Sequence, residues 1–275
     1  MHQLVGPALV ACLVVAVPAP AQQSVQLQLR PRAGDTLHVR LDQTIEISRT
    51  MRGSADDAEP GDAASLVMLA RIAVESADLD GATVMALTDS VRITSSEAFS
   101  TSPTLQSARA LQGQRFRFRV QPDGSTMLAG SDALGVPALG NLLSQLPATL
   151  PRERLMPGAT WVRAVELPLA ASPDGRGTAT LNATFHFDSL SDGGEYAVLS
   201  VRGRLMRSGP LPGGNKGAFV QTSGEVTGRI HIDLRRGWIA DARSVVTLRS
   251  LVTGAGSDGG ATRVRVKITQ WMRVM

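Results

Sequence analysis

The sequence is poor in cysteine and in aromatic residues. It contains one cysteine, Cys12, and aromatic side chains make up only 4% of its 275 residues. Cys12 lies in an N-terminal apolar run, so a chain that loses this run has no thiol for disulfides, nucleophilic catalysis or metal binding. The scarcity of aromatic rings also argues against a site for single-stranded nucleic acid, because such sites stack bases on exposed rings.

Lysine is almost absent as well. The basic residues are 26 arginines and two lysines, and the net charge is +4. No run of five or more like charges occurs, so the sequence has neither a polybasic nor an acidic tail. We therefore expect no nucleic-acid partner.

The N-terminus has the pattern of a secretory signal peptide. An apolar run, Leu4–Val17, precedes the small-residue cleavage pattern Ala19-Pro20-Ala21. This pattern predicts a signal peptide over residues 1–21 and an exported protein, periplasmic or extracellular, with no stable transmembrane segment after cleavage. The alternative is a lipid anchor on Cys12, since Leu9-Val10-Ala11-Cys12 resembles a bacterial lipobox.

Apolar and polar residues alternate with a period of two along most of the remaining chain. The pattern starts over residues 25–30, and Leu37, Val39 and Leu41 continue it until an expected phase change before Ile45. It recurs over residues 64–78, 82–95, 113–121, 158–168, 178–190, 194–206, 218–234, 237–251 and 260–274. Such alternation indicates antiparallel strands with one buried and one exposed face.

Several of these runs approach three times the ordinary strand length of roughly 5–6 residues. Long strands must twist and coil. We therefore predict a mostly β fold of long, curved antiparallel strands that form a half-barrel or an open, barrel-like sheet. Four leucines at helical spacing between Pro137 and Pro147 add one short amphipathic helix near the middle, and a shorter helical turn is expected over residues 102–111.

These patterns divide the chain into four segments. They are the signal peptide 1–21, an N-terminal β half 22–130, a helix and Pro-rich linker 131–156, and a C-terminal β half 157–275. Residues 33–40 resemble residues 157–163, which suggests two related halves, although any two antiparallel meanders share such patterns. The two β halves are either separate units or one continuous domain.

A search for catalytic and metal-binding motifs gives no candidate. His38, His186 and His231 occupy polar positions of predicted strands, and no two histidines have the helical i, i+4 spacing of a zinc site. No Gly-x-Ser-x-Gly elbow, Ser-x-x-Lys motif or phosphate-binding glycine loop is present. The sequence therefore predicts no catalytic residue, no cofactor and no metal ligand, and it leaves the ligand-binding residues undetermined.

Acidic residues give equally little support for a site. Asp78-Leu79-Asp80-Gly81 begins like a calcium loop, but Ala82 and Val84 stand where later ligands are needed. An Asp-Gly hairpin turn explains it better. Six glutamates lie on different predicted strands, and their spacing gives no evidence for a glycosidase pair: Glu46, Glu75, Glu97, Glu166, Glu195 and Glu225.

One predicted strand carries a row of arginines. Arg115, Arg117 and Arg119 alternate with Phe116 and Phe118. The phenylalanines are expected to face the core, and the arginines to solvate the outer face and prevent edge-to-edge pairing. An anionic partner would require a second basic row, over residues 263–267, to lie beside the first.

Short motifs resemble a family of uncharacterised exported bacterial β-rich proteins that contain a domain of unknown function. Met156-Pro157-Gly158-Ala159-Thr160-Trp161, after Leu146-Pro147 and Leu150-Pro151, resembles the family's helix-to-strand junction. Gly34-Asp35-Thr36-Leu37 is similar to its first strand entry, and the Gly237-Trp238 turn to its strand ending. The resemblance covers most of the mature chain and implies an exported β-rich domain with no assigned catalytic residue.

The sequence thus favours an exported, non-enzymatic protein of the cell envelope. One hypothesis places a lipid or another apolar small molecule on the concave face of the sheet, by fold-level analogy with envelope lipid carriers. The predicted helix would then cover this face, or alternatively fill the core. Two other hypotheses are a structural or protein–protein module with an envelope protein as partner, and a hydrolase whose site is not visible in the sequence.

Overall fold

The computed structural model describes residues 24–51, 61–97, 106, 108–128, 150–168, 178–210, 219–254 and 261–275. These residues form strands β1 (Val25–Gln26), β2 (Thr36–Met51), β3 (Asp62–Asp78), β4 (Gly81–Ser95), β5 (Arg115–Val120), β6 (Thr126–Leu128), β7 (Arg154–Leu155), β8 (Thr160–Pro168), β9 (Thr178–Ser191), β10 (Tyr196–Pro210), β11 (Phe219–Asp233), β12 (Trp238–Thr253) and β13 (Ala261–Val274). The predicted mostly β, antiparallel fold is confirmed.

The helical predictions fall largely outside this part of the chain. The amphipathic helix over residues 137–146 lies outside the described residues. Of the turn predicted over residues 102–111, Gln106, Ala108 and Arg109 are helical, and Leu111 is buried at its end.

Eleven strands form one antiparallel sheet, in the order β6-β5-β4-β3-β2-β13-β12-β11-β10-β9-β8. Strand β2 pairs with β13, so the first and last long strands join strands of both predicted halves in a single sheet. In the part of the chain that the structure describes, the outer strands β6 and β8 do not pair with each other, and the sheet is not a closed barrel there.

Directly paired residues lie on the same face of the sheet, which defines an inner and an outer face. We call the end at Thr36, Gly81, Tyr196 and Trp238 the packed end, because the fully buried side chains gather there. The opposite end of the strands is the distal end.

The packed end shows that the sheet is strongly curved. Phe116 and Phe118 of β5 belong to the same hydrophobic cluster as Phe187 of β9 and Leu199 of β10. In addition, the adjacent residues Leu29 and Arg30 donate hydrogen bonds to Pro122, just after β5, and to Gly237, just before β12. Strands β5 and β12 are five positions apart in the sheet, or about 24 Å if the sheet were flat. The sheet is therefore curved, and its inner face encloses one core. We call its two sides the N-terminal wing, from β6 to β2, and the C-terminal wing, from β13 to β8.

Segments outside the sheet complete this core. Leu27, Leu29, Leu111 and Leu150 are each less than 5% exposed. They fill the space between the two wings, where the inner-face side chains of the curved sheet leave room.

The strand predicted over residues 25–30 is wrong beyond Gln26. Only Val25–Gln26 is paired, with β7, and the chain then crosses the packed end. The Leu29 N–H donates to the Pro122 carbonyl at 2.9 Å, and the Arg30 N–H to the Gly237 carbonyl at 2.9 Å. The alternation of this segment therefore reflects insertion into the core rather than a place in the large sheet.

The phase change expected in β2 is also wrong. The pairing of β2 with β3 and with β13 has no register shift, so Leu41, Gln43 and Ile45 all lie on the inner face. Gln43 is a polar residue in an apolar row. Such an interruption looks like a phase change in the sequence because neither neighbour of Gln43 is apolar.

The turn at Asp78-Leu79-Asp80-Gly81 is a hairpin, as predicted. Asp78 ends β3, Gly81 begins β4, and the Asp80 N–H donates to the Asp78 carboxylate at 2.9 Å. Gly81 has φ +142°, and a Cβ at this position would lie 2.2 Å from the Val120 carbonyl oxygen. Glycine is required there because β5 packs directly against the turn.

Candidate functional site

The arginine row of β5 is held by acidic residues of β3. Arg117 Nε lies 2.9 Å from Glu75 Oε2, and Arg119 Nη2 lies 2.5 Å from Asp78 Oδ1. Strands β4, β3 and β2 separate β5 from β13, so the basic row over residues 263–267 is not a neighbour. Arg117 and Arg119 thus form ion pairs with β3 across β4, and the joint anion site that needed residues 263–267 as neighbours is excluded.

The Arg119–Asp78 pair predicts an acid dependence of stability. The hydrogen bond from Arg119 lowers the pKa of Asp78 below its ordinary value of 3.8. A lowered folded-state pKa means that the pair stabilises the fold above about pH 4, and that this contribution is lost as the pH falls through the lowered pKa. Arg119→Gln should therefore reduce the melting temperature at neutral pH, with the difference shrinking in acid. Arg115→Gln is the matched control, and equal effects of both variants at every pH would contradict the assignment.

The three histidines among the described residues do not come together in one site. His38, His186 and His231 all lie on the outer face. His186 Nδ1 contacts Asp188 Oδ1 at 2.6 Å, and the Ser200 hydroxyl donates to the same oxygen at 2.9 Å. The serine is therefore bonded to the carboxylate rather than to the imidazole, so this group lacks the serine–histidine contact of a nucleophilic site.

The carboxylates are likewise dispersed. Glu46 pairs with Lys267 at 3.3 Å, and Glu195 pairs with Arg235 at 3.1 Å. The described residues include no group of three or more His, Cys, Asp or Glu side chains that could hold a metal ion. Asp80 and Asp123 both line one cleft at the packed end, and the Asp123 carboxylate there accepts hydrogen bonds from the Ser125 N–H at 2.9 Å and from the Ser125 hydroxyl at 2.7 Å.

Two clefts flank the N-terminal segment at the packed end. Their volumes are about 400 and 350 Å³. Arg30, Arg154 and Arg235 line the first, and Arg30, Asp80 and Asp123 contribute to the second. Both linings are mainly polar, so these clefts do not match an apolar ligand, and neither includes the distal half of the inner face.

An apolar surface covers the distal half of the inner face. It spans the four adjacent strands β2, β13, β12 and β11. We call it the inner band, and its residues are Ile45, Ile47, Val226, Val246, Leu248, Val266 and Ile268. All of them are half-buried, whereas Leu37, Val39, Ile232 and Ile239, at the packed end of three of these strands, are buried. Val226 and Leu248 also pack against a second buried cluster of Leu181, Ala183, Phe185 and Leu205. The inner band is thus a contiguous part of the sheet interior that the described residues leave partly uncovered.

A polar row separates the inner band from the core. Gln43, Gln270 and Ser244 pair in turn on β2, β13 and β12, and Gly228 continues the row on β11. A Cβ at Gly228 would lie 2.8 Å from the Arg243 carbonyl oxygen. The side-chain amides of Gln43 and Gln270 and the Ser244 hydroxyl therefore line one border of the inner band with hydrogen-bonding groups.

A second polar row lies on the other side of the inner band, towards the distal end. Arg49, Ser250, Thr222 and Arg207 belong to it, with Val264 between Arg49 and Ser250. The Thr222 and Ser250 hydroxyls are 2.8 Å apart, and Thr222 is only 9% exposed. The inner band is therefore apolar along its length and polar along both borders.

Two glycines on β10 and β11 make room for the side chains that lie beside and within the inner band. Gly224 and Gly203 lie in the same rows as band residues. A Cβ at Gly224 would come within 2.5 Å of a Leu248 methyl, and one at Gly203 within 2.7 Å of a Leu181 methyl. Their missing side chains allow these two leucines to lie flat on the sheet.

Alternation in the sequence predicts which residues face inward, but not which inward residues remain uncovered. Only the register shows that Gln43 and Gln270 are partners on neighbouring strands, because 226 intervening residues separate them in the chain. The two inward glutamines were a detectable signal, since each interrupts an otherwise apolar phase.

Among the described residues, no helix has the length and apolar character that crossing a membrane requires. No protein-family model matches this sequence, and no curated protein sequence is significantly similar to it. The likeness to exported bacterial β-rich proteins therefore remains an expectation from short motifs.

Proposed function

We propose that the protein binds a lipid or another elongated apolar molecule along the inner band. The observation that carries this proposal is the half-exposed apolar surface on the inside of a curved sheet. Exposed aliphatic side chains in contiguous rows are unfavourable in water unless something covers them.

The dimensions of the inner band suit a single acyl chain. Four adjacent strands span three inter-strand spacings, or about 14 Å across the band. Burial of about ten methylenes would gain roughly 8 kcal/mol, at about 0.8 kcal/mol each, before the entropic cost of association. We therefore expect a dissociation constant no tighter than about 1 μM.

The polar borders favour an amphiphile over a pure hydrocarbon. Gln43 and Gln270 offer amide donors and acceptors on one side of the inner band. On the other side, Arg207 stands opposite Thr222, whose hydroxyl contacts Ser250. A ligand with an apolar body and a polar head would satisfy both surfaces.

Export to the cell envelope belongs to the same proposal. The signal-peptide pattern over residues 1–21 would deliver the protein to a compartment bounded by membranes. A carrier or sensor of envelope lipids is the non-enzymatic activity that these features favour together.

Mass spectrometry of an organic extract from the purified mature protein tests the proposal. We expect a co-purified lipid, or saturable uptake of a fluorescent long-chain fatty acid that the unlabelled acid and alcohol both displace. A ligand-free extract together with no saturable uptake would refute the proposal, because the inner band would then be covered by the chain itself.

A further inference from the structure

The outer face of the sheet carries arginines in an arrangement that opposes folding. Arg249 of β12 and Arg265 of β13 are directly paired, and so are Arg229 of β11 and Arg243 of β12. Like charges directly opposite each other on neighbouring strands are destabilising. Two such pairs on three adjacent strands concentrate positive charge on one region of the outer face.

The pair near the packed end has partners that compensate part of its charge. Arg243 lies over the Trp271 ring at 4.2 Å and 3.6 Å from Asp241 Oδ1. Arg273 covers the same ring at 4.2 Å, and the indole N–H of Trp271 donates to Asp241. Cation–π contacts with Trp271 thus hold Arg243 and Arg273 in place, and the Asp241 carboxylate compensates part of the charge of Arg243.

The distal arginines have no such partners. Arg249, Arg263 and Arg265 are exposed, and none of them forms an ion pair with another described residue. Ser48 and Ser223, both neutral, flank the Arg265–Arg249 pair on the outer face. Three exposed guanidinium groups without a described ion-pair partner therefore lie within a small area, one row away from the outward carboxylates Glu46 and Glu225.

Exposed apolar side chains lie beside these arginines. Met206 is 74% exposed and lies on β10 in the same outer row as Arg249 and Arg265. Phe219 is 44% exposed at the distal end of β11, and its outward position follows from its pairing with Thr253. Arginines mixed with exposed apolar groups form an amphipathic surface.

We propose that this surface docks on an anionic lipid bilayer. We name it the distal basic surface, and its residues are Met206, Phe219, Arg249, Arg263 and Arg265. Guanidinium groups bind lipid phosphates in a forked geometry, while Met206 and Phe219 enter the interface between head groups and acyl chains. A soluble polyanion offers no apolar phase for these two side chains, which favours a membrane over a polymer. The proposal does not depend on any ligand in the inner band.

Co-sedimentation with vesicles of phosphatidylglycerol and phosphatidylcholine, compared with pure phosphatidylcholine, tests it on the full mature chain. We expect binding only to the anionic vesicles, weakening steeply as salt rises. The triple variant Arg249→Gln, Arg263→Gln and Arg265→Gln should bind on the order of 100-fold more weakly, at roughly fivefold per charge. Its melting temperature should stay equal or rise, because the Arg249–Arg265 repulsion is removed.

A matched control separates this surface from general charge. The triple variant Arg32→Gln, Arg109→Gln and Arg152→Gln removes the same charge from exposed positions elsewhere. We expect it to retain vesicle binding, and an equal loss in both variants would overturn the proposal. Equal binding of the native protein to neutral vesicles would also overturn it. So would binding to heparin or DNA that the distal variant loses while the native protein ignores anionic vesicles.

Discussion

Replacement of Phe187 by alanine is expected to lower the free energy of unfolding by about 3–5 kcal/mol. Phe187 is 0% exposed and lies in the cluster that joins the two wings of the sheet. Its N–H donates to the Ala159 carbonyl at 2.9 Å, and its carbonyl accepts from the Gly158 N–H at 2.7 Å. The backbone on both sides of the lost ring is therefore fixed and cannot collapse into the cavity.

Urea denaturation of the native protein and the variant measures this loss. Phe219→Ala is the matched control, since Phe219 is 44% exposed at the distal end, and its substitution should cost less than about 1 kcal/mol. The slope of the unfolding curve should stay the same in all three proteins. A loss below about 1.5 kcal/mol for Phe187→Ala would mean that the two wings do not share one rigid core.

The strands were predictable from the sequence because alternation is a local property. In β9, β10 and β11, most apolar residues alternate with polar ones along the pleat, so the existence of these strands and the face of most of their residues follow from the local sequence. The hairpin turn at Asp78–Gly81 was predictable for the same reason, since turn residues act over four positions.

What escaped prediction depends on contacts between distant parts of the chain. Leu27 and Leu29 alternate like strand residues, yet they fill the packed end because the curved sheet leaves a space there. The pairing of Arg249 with Arg265 and of Gln43 with Gln270 needs the strand register, which a single sequence does not reveal. The inner band was not predictable for a further reason. Whether the rest of the molecule covers an inward-facing residue depends on the tertiary structure.

The difference between the faces of one strand leads to the strongest test of the inner band. Val246 and Val245 are neighbours on β12, and both are half-buried. Val246 faces inward between Val226 and Ile268, and Val245 faces outward between Thr227 and Thr269. The two positions therefore offer the same residue, strand and exposure on opposite faces.

Val246→Glu should weaken ligand uptake by about 100-fold or more, because an apolar ligand would have to desolvate an unpaired carboxylate at a cost of several kcal/mol. Val245→Glu should leave uptake unchanged, since its carboxylate stays in water among threonines. A fluorescent long-chain alcohol is the appropriate probe, because a neutral head group removes simple charge repulsion from the comparison. Circular dichroism should show the same fold for both variants.

If both variants take up the alcohol as the native protein does, the ligand does not lie on the inner band. A comparable loss in Val245→Glu would place the ligand on the outer face instead.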